Sequence, residues 1–459
     1  MPDTTVKFEN ARFIITMDPQ RRIIANGFVV VQGQRILQVG KADELTEIQA
    51  DRVVDATDMV ITPGFVNGHM HISYAHATRG IFPDDLGSAY LPNVFKLQAI
   101  MTEEEEYNTS LLAITELLKN GTTTFMDPGS TKYIDRCLDA YKQAGCRIIT
   151  GTHVTDKPSP LGLPVSTTAD AIETVESTIK KFDGQLDGRV SAWAMPFAPS
   201  MCTDELLTAC KRLADQYGTG MTLHYNNGQN YVDATLNESG LRPTQYLQKL
   251  GILGDNLTLA HMLGQDESEV EVLASTGTRA VVVPTAAVKG GAGMTNTGLL
   301  PEMLDAGMAV GLATDAGNNS NLVETNRAMY LIAVLYKDAR QDSKTIPAET
   351  ALEMATIQGA EALGLDAEVG SLEVGKKADL VLYDTRNVEW QTLFNPVNNL
   401  VYNADGRSVH LVMVDGKIVV EDHKPLFVDE WALIQKVQGI GEDMLARIGL
   451  SFPPRWPIV

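Results

Sequence analysis

Two histidines one residue apart, His69 and His71, end an apolar run that begins at Val60. If this run is a strand, its side chains alternate between two faces, so both imidazoles project to the same side. Neutral imidazole is a common zinc ligand, and two imidazoles at this spacing can bind one divalent ion. An isolated His-x-His is equally often a pair of ordinary histidines at a strand end, so the pair needs support from elsewhere in the chain.

Three later strand-like segments also end in a residue that can bind a metal. Met-Thr-Leu-His ends at His224, Leu-Thr-Leu-Ala-His ends at His261, and Gly-Leu-Ala-Thr-Asp ends at Asp315. Four of the eight histidines therefore lie at such ends, and His153 is a candidate fifth. Three imidazoles and a carboxylate suit one zinc ion with a position left for water, although iron, cobalt or manganese could also bind. Such an ion makes water a nucleophile near neutral pH.

The elements that must position these residues are strand-like segments that alternate with amphipathic helices between about residues 63 and 365. The predicted strands are Phe65–His71, Thr122–Met126, Arg147–His153, Val190–Phe197, Gly220–His224, Leu257–His261, Arg279–Pro284 and Ala309–Thr314. One predicted helix, Glu103–Asn120, starts with a capping box of Thr102 and Glu105. Repeated strand–helix units of this number predict an α/β fold, a (β/α)₈ TIM barrel whose active site lies at the C-terminal ends of its strands. An open doubly wound sheet is the alternative.

Short β-branched runs near both ends of the chain predict further strands. Neither set would make a stable sheet alone, so we expect the two sets to pair in a small composite β-sandwich. The predicted domains are therefore a sandwich from residues 1–62 and 366–459, with a C-terminal helix over Glu430–Ile448, and a barrel from residues 63–365.

Composition narrows the class of partner. The chain has 459 residues and a formal net charge of −21, which disfavours nucleic acid and anionic membranes and leaves a small-molecule substrate. No basic-then-apolar leader and no long apolar run is evident, and the four cysteines lack Cys-x-x-Cys spacing. We therefore expect a cytoplasmic protein with reduced thiols.

The run Pro-Gly-Phe-Val-Asn-Gly-His69-Met-His71, taken with the later strand ends, resembles the amidohydrolase superfamily. Gly370-Ser-Leu-Glu-Val-Gly-Lys-Lys-Ala-Asp379-Leu-Val is similar to that family's return from barrel to sandwich. The resemblance extends over nearly the whole chain. It is strongest to the group of cytosine, guanine and adenosylhomocysteine-type deaminases, s-triazine chlorohydrolases, and phenylurea and molinate hydrolases. It implies a distorted barrel and a homo-oligomer.

The resemblance also implies roles for individual residues. By it, the metal ligands are His69, His71, His224 and Asp315. His261 matches a histidine that contacts the substrate or the attacking water. Two-metal members carry a carboxylated lysine on the fourth strand, and the segment Val190–Phe197 has no lysine, which implies one metal ion per subunit.

One departure from the family pattern decides the predicted reaction. Deaminases of this group carry His-x-x-Glu at the fifth strand, where the glutamate passes a proton to the ring nitrogen, but this chain has His224-Tyr-Asn-Asn227. An amide cannot exchange protons near neutral pH. We therefore predict an amidohydrolase that attacks a carbonyl carbon and cleaves the C–N or C–S bond of a urea-, amide- or carbamate-like molecule, for example a phenylurea. The alternative interpretation is that Asn227 has no role in the reaction and only packs or caps a loop.

Two other functions stay open at this point. The first alternative is a hydrolytic deaminase or chlorohydrolase that acts on an amino-substituted N-heterocycle of the cytosine, guanine, adenosine or s-triazine type. A remote alternative is a non-catalytic barrel that serves as a scaffold. Such a scaffold would purify without stoichiometric metal.

In the predicted reaction, Asp315 takes a proton from the attacking water and passes it to the departing amine, while His261 stabilises the oxyanion. The residues predicted to contact the substrate are His261, Asn227, His153, Trp193 and Tyr74. The aromatic ones among them are equally plausible as core residues. The long connection over residues 72–101 is predicted to form a pocket wall, and residues 289–298 either a flap or a plain turn.

Overall fold

The computed structural model describes residues 4–158 and 161–458. Its strands are β1 Thr5–Ile15, β2 Ile23–Gln32, β3 Arg35–Lys41, β4 Arg52–Asp55, β5 Met59–Pro63, β6 Phe65–Asn67, β7 Thr122–Met126, β8 Arg147–Thr150, β9 His153–Val154, β10 Val190–Ala192, β11 Met195–Pro196, β12 Met221–His224, β13 Leu257–His261, β14 Arg279–Val282, β15 Val310–Leu312, β16 Leu380–Asp384, β17 Val409–Val414, β18 Lys417–Glu421 and β19 Lys424–Pro425.

Its α-helices are α1 Tyr90–Ile100, α2 Glu103–Lys119, α3 Ile134–Ala144, α4 Thr168–Phe182, α5 Gln185–Gly188, α6 Asp204–Tyr217, α7 Gln229–Ser239, α8 Pro243–Lys249, α9 Glu267–Ser275, α10 Pro284–Lys289, α11 Met294–Thr297, α12 Leu300–Asp305, α13 Thr325–Arg340, α14 Ala348–Ala355, α15 Ile357–Ala362, α16 Pro396–Asn398 and α17 Glu430–Ile448. No helix in the described part of the chain is long and apolar enough to cross a bilayer.

Parallel strands form the predicted barrel. They pair as β10-β8-β7-β6 and as β12-β13-β14-β15, and the short strands β9 and β11 extend two of them. A parallel bridge between Ala194 and Met221 joins the two half-sheets on one side. On the other side the Gly68 N–H donates to the Leu312 carbonyl at 2.8 Å. The barrel is therefore closed, and the predicted TIM-barrel fold is confirmed.

The first barrel strand is shorter than the sequence pattern predicts. It ends at Asn67, because the next N–H groups bond to two different neighbours: Gly68 to the last barrel strand and Met70 to the carbonyl of Met126. In a regular strand, residues two apart such as Gly68 and Met70 would bond to the same neighbouring strand, so the chain has left the regular ladder here. His69 and His71 thus follow the strand, and the predicted strand alternation does not explain where their side chains lie.

Strands from both chain ends form one sheet, in the order β19-β18-β17-β16-β5-β1-β2-β3, with β4 beside β1. An antiparallel bridge between Arg35 and Lys377 brings the far edge of this sheet back to the start of β16. The enclosed apolar cluster takes residues from both ends, including Phe8, Ile14 and Met413. The composite β-rich unit is thus present, while the exact domain boundaries stay a prediction.

The connection over residues 72–101 contains helix α1, which the sequence analysis treats as loop. Pro92 suggests a break, but it lies in the first turn of the helix, where a missing N–H costs nothing. Val94 and Leu97 are three residues apart and buried on the same side. The helix α2 that follows has the predicted capping box of Thr102 and Glu105.

Candidate active site and metal centre

The C-terminal ends of the barrel strands bring the predicted ligands together. The His69 ring centroid lies 4.7 Å from that of His224 and 5.0 Å from those of His71 and His261. Two groups have potential donor atoms within 4.8 Å of one another, His69–His224–His261 and His69–His71–Asp315. All of these side chains are buried. Residues separated by up to 246 positions therefore share one small centre.

The donor atoms face one another across this centre. His224 Nε2 lies 3.4 Å from His71 Nε2, and His71 Nε2 lies 3.4 Å from Asp315 Oδ1. His224 Nδ1 lies 3.2 Å from the Phe197 carbonyl, which can only accept a hydrogen bond. The proton of His224 therefore belongs on Nδ1, and its Nε2 presents a lone pair to the centre.

The environment of His69 fits a metal ion. Both ring nitrogens are buried and lack a hydrogen-bond partner among the described residues. Burial, and then the neighbouring imidazoles, lower the pKa of His69 and of His224 well below the usual value. Both rings are thus neutral and able to ligate. Because unpartnered buried nitrogens are costly, a divalent cation explains an arrangement that protein contacts leave unsatisfied.

Hydrogen bonds from the Asn67 side chain and from the backbone fix the first and last strand ends against each other. Asn67 Nδ2 donates to Thr314 Oγ1 at 2.7 Å, and Asn67 Oδ1 accepts from the Thr314 N–H at 3.2 Å. The Asp315 N–H donates to the His69 carbonyl at 3.0 Å. These bonds set the separation of His69 and Asp315 without using either side chain.

Strained backbone marks two of the converging positions. His261 has φ of 77°, Met262 follows with 59°, and Asp315 has 62°. Non-glycine residues rarely adopt this left-handed region, and those that do cluster at functional sites. The turns direct the two side chains inward at the points where their strands end.

A cavity of about 440 Å³ opens beside His261 and Asp315. Asn227 also lines it; this residue is half-buried, and its Oδ1 has no partner among the described residues. The wall consists of side chains from the loops after the first, fifth, seventh and eighth strands, among them Phe82, Leu86, Tyr90, Leu91, Tyr231, Val283 and Asn319. A smaller recess continues towards His71 and His224.

Other predicted contact residues lie at different distances from the centre. The Tyr74 ring is 5.9 Å from the His71 ring and lines the recess. The His153 ring is 5.5 Å from Phe197, which stacks on His224 at 4.5 Å. Burial lowers the pKa of His153 to about 4, so this ring is also neutral.

The position of Trp193 does not agree with its predicted contact with the substrate. Its indole is buried in an apolar cluster with Val66, Ile149 and Leu363, away from the residues that line the cavity. Its ring also packs directly over Gly220, where a Cβ would come within 2.4 Å. Trp193 is therefore a core residue.

Several residues of the cavity wall are not predicted by the sequence analysis, and Tyr231 and Asn319 are two of them. Tyr231 lies on α7, where neighbouring residues carry no pattern that points to a site. Asn319 follows Asp315 by four positions, and its Nδ2 donates to Asp315 Oδ2 at 3.0 Å. The sequence signal that could identify Asn319 is its place in the short polar turn after the last strand.

Comparisons with known proteins agree with this geometry. The sequence matches the profile of the amidohydrolase family over residues 60–419. It is 31% identical to a 5-methylthioadenosine/S-adenosylhomocysteine deaminase of Syntrophobacter fumaroxidans, over 93% of this chain and 95% of that protein. It is 29% identical to a 5'-deoxyadenosine deaminase of Methanobrevibacter smithii, over 97% of this chain and 99% of that protein.

Solved structures share the fold. A zinc-containing adenosine deaminase from Xanthomonas campestris has a TM-score of 0.89 at 26% identity and covers 97% of this chain and 100% of its own. A zinc complex of an atrazine chlorohydrolase from Arthrobacter aurescens has a TM-score of 0.88 at 23% identity and covers 95% of this chain and 100% of its own. At this identity the likeness establishes only a common fold. The relatives favour the deaminase alternative over the phenylurea-type reaction. The chain belongs to the amidohydrolase family and is a hydrolase that acts on carbon–nitrogen bonds.

Proposed function

We propose that the protein is a metal-dependent hydrolytic deaminase of a small amino-substituted N-heterocycle, of the adenosine type that its relatives' names describe. The observation that carries this proposal is the similarity to nucleoside deaminases along almost the whole chain, at 31% identity over 93% of it. The convergence of imidazoles and a carboxylate at one rim of the barrel supports it. This replaces the phenylurea-type reaction as the first candidate.

We assign His69, His71, His224 and Asp315 as ligands of one divalent ion, with zinc as the first choice. A set of imidazoles and one carboxylate suits zinc and leaves a position for water. The ion would supply the positive charge that makes water a nucleophile near neutral pH and stabilises negative charge in the transition state.

The chain's own residues then handle the proton and the substrate. Asp315 accepts a proton from the attacking water and delivers it to the departing nitrogen, so a C–O bond forms, the exocyclic C–N bond breaks and ammonia leaves. His261, whose buried Nε2 lacks a partner among the described residues, faces the reacting carbon's substituent. Asn227 binds the substrate through its free amide oxygen. Tyr74 and His153 support the rings around the centre.

The presence of Asn227 supports a second candidate function. It occupies the position of the deaminases' proton-carrying glutamate and lines the same cavity as Asp315. An amide cannot exchange a proton near neutral pH. Deamination of a heterocycle requires a residue here that protonates the ring nitrogen, whereas hydrolysis at a carbonyl carbon does not. Hydrolysis of a urea-, amide- or carbamate-like C–N bond, or of a thiocarbamate C–S bond, is therefore the alternative.

A substrate screen with the metal-loaded protein separates the two functions. We expect ammonia from adenosine-type nucleosides or aminotriazines, and no amine release from phenylureas or carbamates. The variant Asn227→Glu sharpens the comparison: restoring an acid should raise the rate of deamination but not that of carbonyl hydrolysis. Amine release from ureas at ordinary enzyme rates, without ammonia from any heterocycle, would establish the alternative instead.

Three predictions accompany this proposal. We propose that residues 1–62 with 366–459 and residues 63–365 act as the two domains. We also propose one ion per subunit, since the segment Val190–Phe197 has no lysine. A homo-oligomer in the cytoplasm stays a prediction from the sequence.

A further inference from the structure

The charges around the cavity are unevenly distributed. Among the described residues that line it, the charged side chains are Asp315 at the reacting end and the pair Asp84 and Lys289 at the mouth. Lys289 Nζ lies 3.7 Å from Asp84 Oδ1. The middle of the cavity, between the reacting end and the mouth, is therefore lined by uncharged side chains.

The two charged side chains at the mouth pair with each other and are exposed to solvent. The Asp84 side chain is 86% exposed and that of Lys289 is 36% exposed. They come from two different connections, since Asp84 follows the first strand and Lys289 ends α10 after the seventh. Neither side chain is placed to neutralise a charged group that the cavity encloses.

The middle section offers apolar surface and neutral polar groups. Leu86, Leu91 and Val283 provide the apolar surface, and Tyr231 and Asn227 the polar one. Burial raises the pKa of Tyr231, so its phenol stays protonated. An ionic group that enters such a section loses water and gains no opposite charge, whereas a neutral group with apolar substituents gains contacts. The net charge of −21 further disfavours anions.

We propose that the part of the substrate enclosed between the reacting end and the mouth is uncharged and carries an apolar substituent, which excludes substrates with a carboxylate, a phosphate or an ammonium close to the ring. This inference rests on the proposed reaction at an amino-substituted heterocycle. The unpartnered Asn227 Oδ1 accepts a hydrogen bond from a neutral N–H of that ring. Charged groups are tolerated where they project beyond the mouth.

The test uses the metal-loaded protein and three aminotriazines that differ in one ring substituent: propyl, propanoate or aminoethyl. Calorimetry gives Kd and ammonia release gives kcat/KM. We expect the propyl compound to bind at least about tenfold more tightly than either charged compound, which corresponds to a difference of about 1.4 kcal/mol. Equal affinity of a charged compound and the propyl compound would overturn the inference, whatever the rate of deamination.

The same measurements keep this inference separate from the proposed reaction. If neither these compounds nor adenosine-type nucleosides release ammonia but the propyl compound still binds best, the deaminase function fails and the substrate class stands. If all three release ammonia and bind with similar Kd, the function stands and the substrate class fails.

A pair of variants tests whether the cavity wall sets the preference. Leu91→Arg adds a cation to the half-buried wall, whereas Val288→Arg adds one to an exposed neighbour of Lys289 that does not line the cavity. We expect Leu91→Arg to shift the propanoate-to-propyl affinity ratio by about tenfold towards propanoate, and Val288→Arg to leave it unchanged. An unchanged ratio in folded Leu91→Arg would overturn the inference, and a melting curve verifies that this variant folds. The comparison in the unmodified protein does not depend on either variant.

Discussion

Asn319 donates its side-chain N–H to Oδ2 of Asp315 at 3.0 Å, while the Ala316 N–H donates to Oδ1 at 2.6 Å. Asn319 belongs to a turn whose neighbour Asn318 donates to Thr78 Oγ1 at 2.8 Å. The carboxylate proposed to carry the proton is therefore oriented by the chain that follows it, and this turn is attached to the connection after the first strand.

Removal of that orienting bond should slow the reaction without removing the metal. For Asn319→Ala we expect kcat to fall by about tenfold to a hundredfold, because a hydrogen bond to a charged group contributes about 1.5–3 kcal/mol. Metal content and KM should change little. Asn230→Ala is the matched control, since Asn230 also lines the cavity. Loss of metal from Asn319→Ala, or an unchanged kcat, would contradict a positioning role.

His69, whose two ring nitrogens lack a partner among the described residues, should be essential for metal binding. We expect His69→Ala to purify with much less than stoichiometric metal and to lose activity, since it removes a ligand from a buried donor set. Elemental analysis measures the metal content directly. His410→Ala, a histidine on β17, serves as the control and should keep its metal. A fully metallated His69→Ala protein would exclude His69 as a ligand.

Gly68 should be required because the chain passes close to Val281 on the seventh barrel strand. A Cβ at this position would lie 2.7 Å from Val281 Cγ2 and 2.9 Å from its Cγ1. We expect Gly68→Ala to lower the free energy of unfolding by about 1–3 kcal/mol, as overpacking does, and to weaken metal binding through the adjacent His69. The double variant Gly68→Ala/Val281→Ala creates the missing space and should recover most of both losses. No recovery would mean that the contact with Val281 is not the cause.

The convergence of the residues proposed as ligands is predictable because it depends on local patterns and on topology. An apolar run that ends in His224 or His261 is visible in the sequence, and a barrel brings all such ends to one rim. Trp193 was misplaced because an apolar segment does not reveal at which end of the barrel a buried ring packs. Tyr231 was missed because the fold of a connection after a strand depends on contacts with other loops, which sequence periodicity does not record.

A buried ion pair should hold the barrel to the terminal sheet. Arg147 on β8 donates from Nε and Nη2 to the two oxygens of Asp379, each at 3.0 Å, and both side chains are buried. Removing Asp379 leaves the buried Arg147 with a longer contact to Asp415 Oδ1 at 3.4 Å, so Asp379→Ala should cost about 3 kcal/mol of unfolding free energy, the lower end of the range for a broken buried pair. Asp384→Ala breaks an exposed pair with Arg386 nearby and should cost less than about 1 kcal/mol. Equal losses in urea unfolding of the two variants would contradict this account.

Glu106 should make stability depend on pH in an unusual direction. Burial, assisted by the neighbouring Asp127, raises its pKa to about 7 from the ordinary glutamate value of 4.5, although the N–H groups of Lys132 and Tyr133 donate to it. The folded protein therefore binds this proton more tightly than the unfolded chain does. The stabilisation is complete below pH 4.5 and is lost as the pH rises through about 7.

The variant Glu106→Gln removes this titration, so its stability relative to the unmodified protein should improve by about 3 kcal/mol between pH 4.5 and 7, the linkage equivalent of the pKa shift. Unfolding free energies measured at several pH values give this difference, in which all other titrating groups cancel. Glu103→Gln changes an exposed glutamate on the same helix and should follow the unmodified protein at every pH. A constant difference between Glu106→Gln and the unmodified protein across this range would show that folding does not raise the pKa of Glu106.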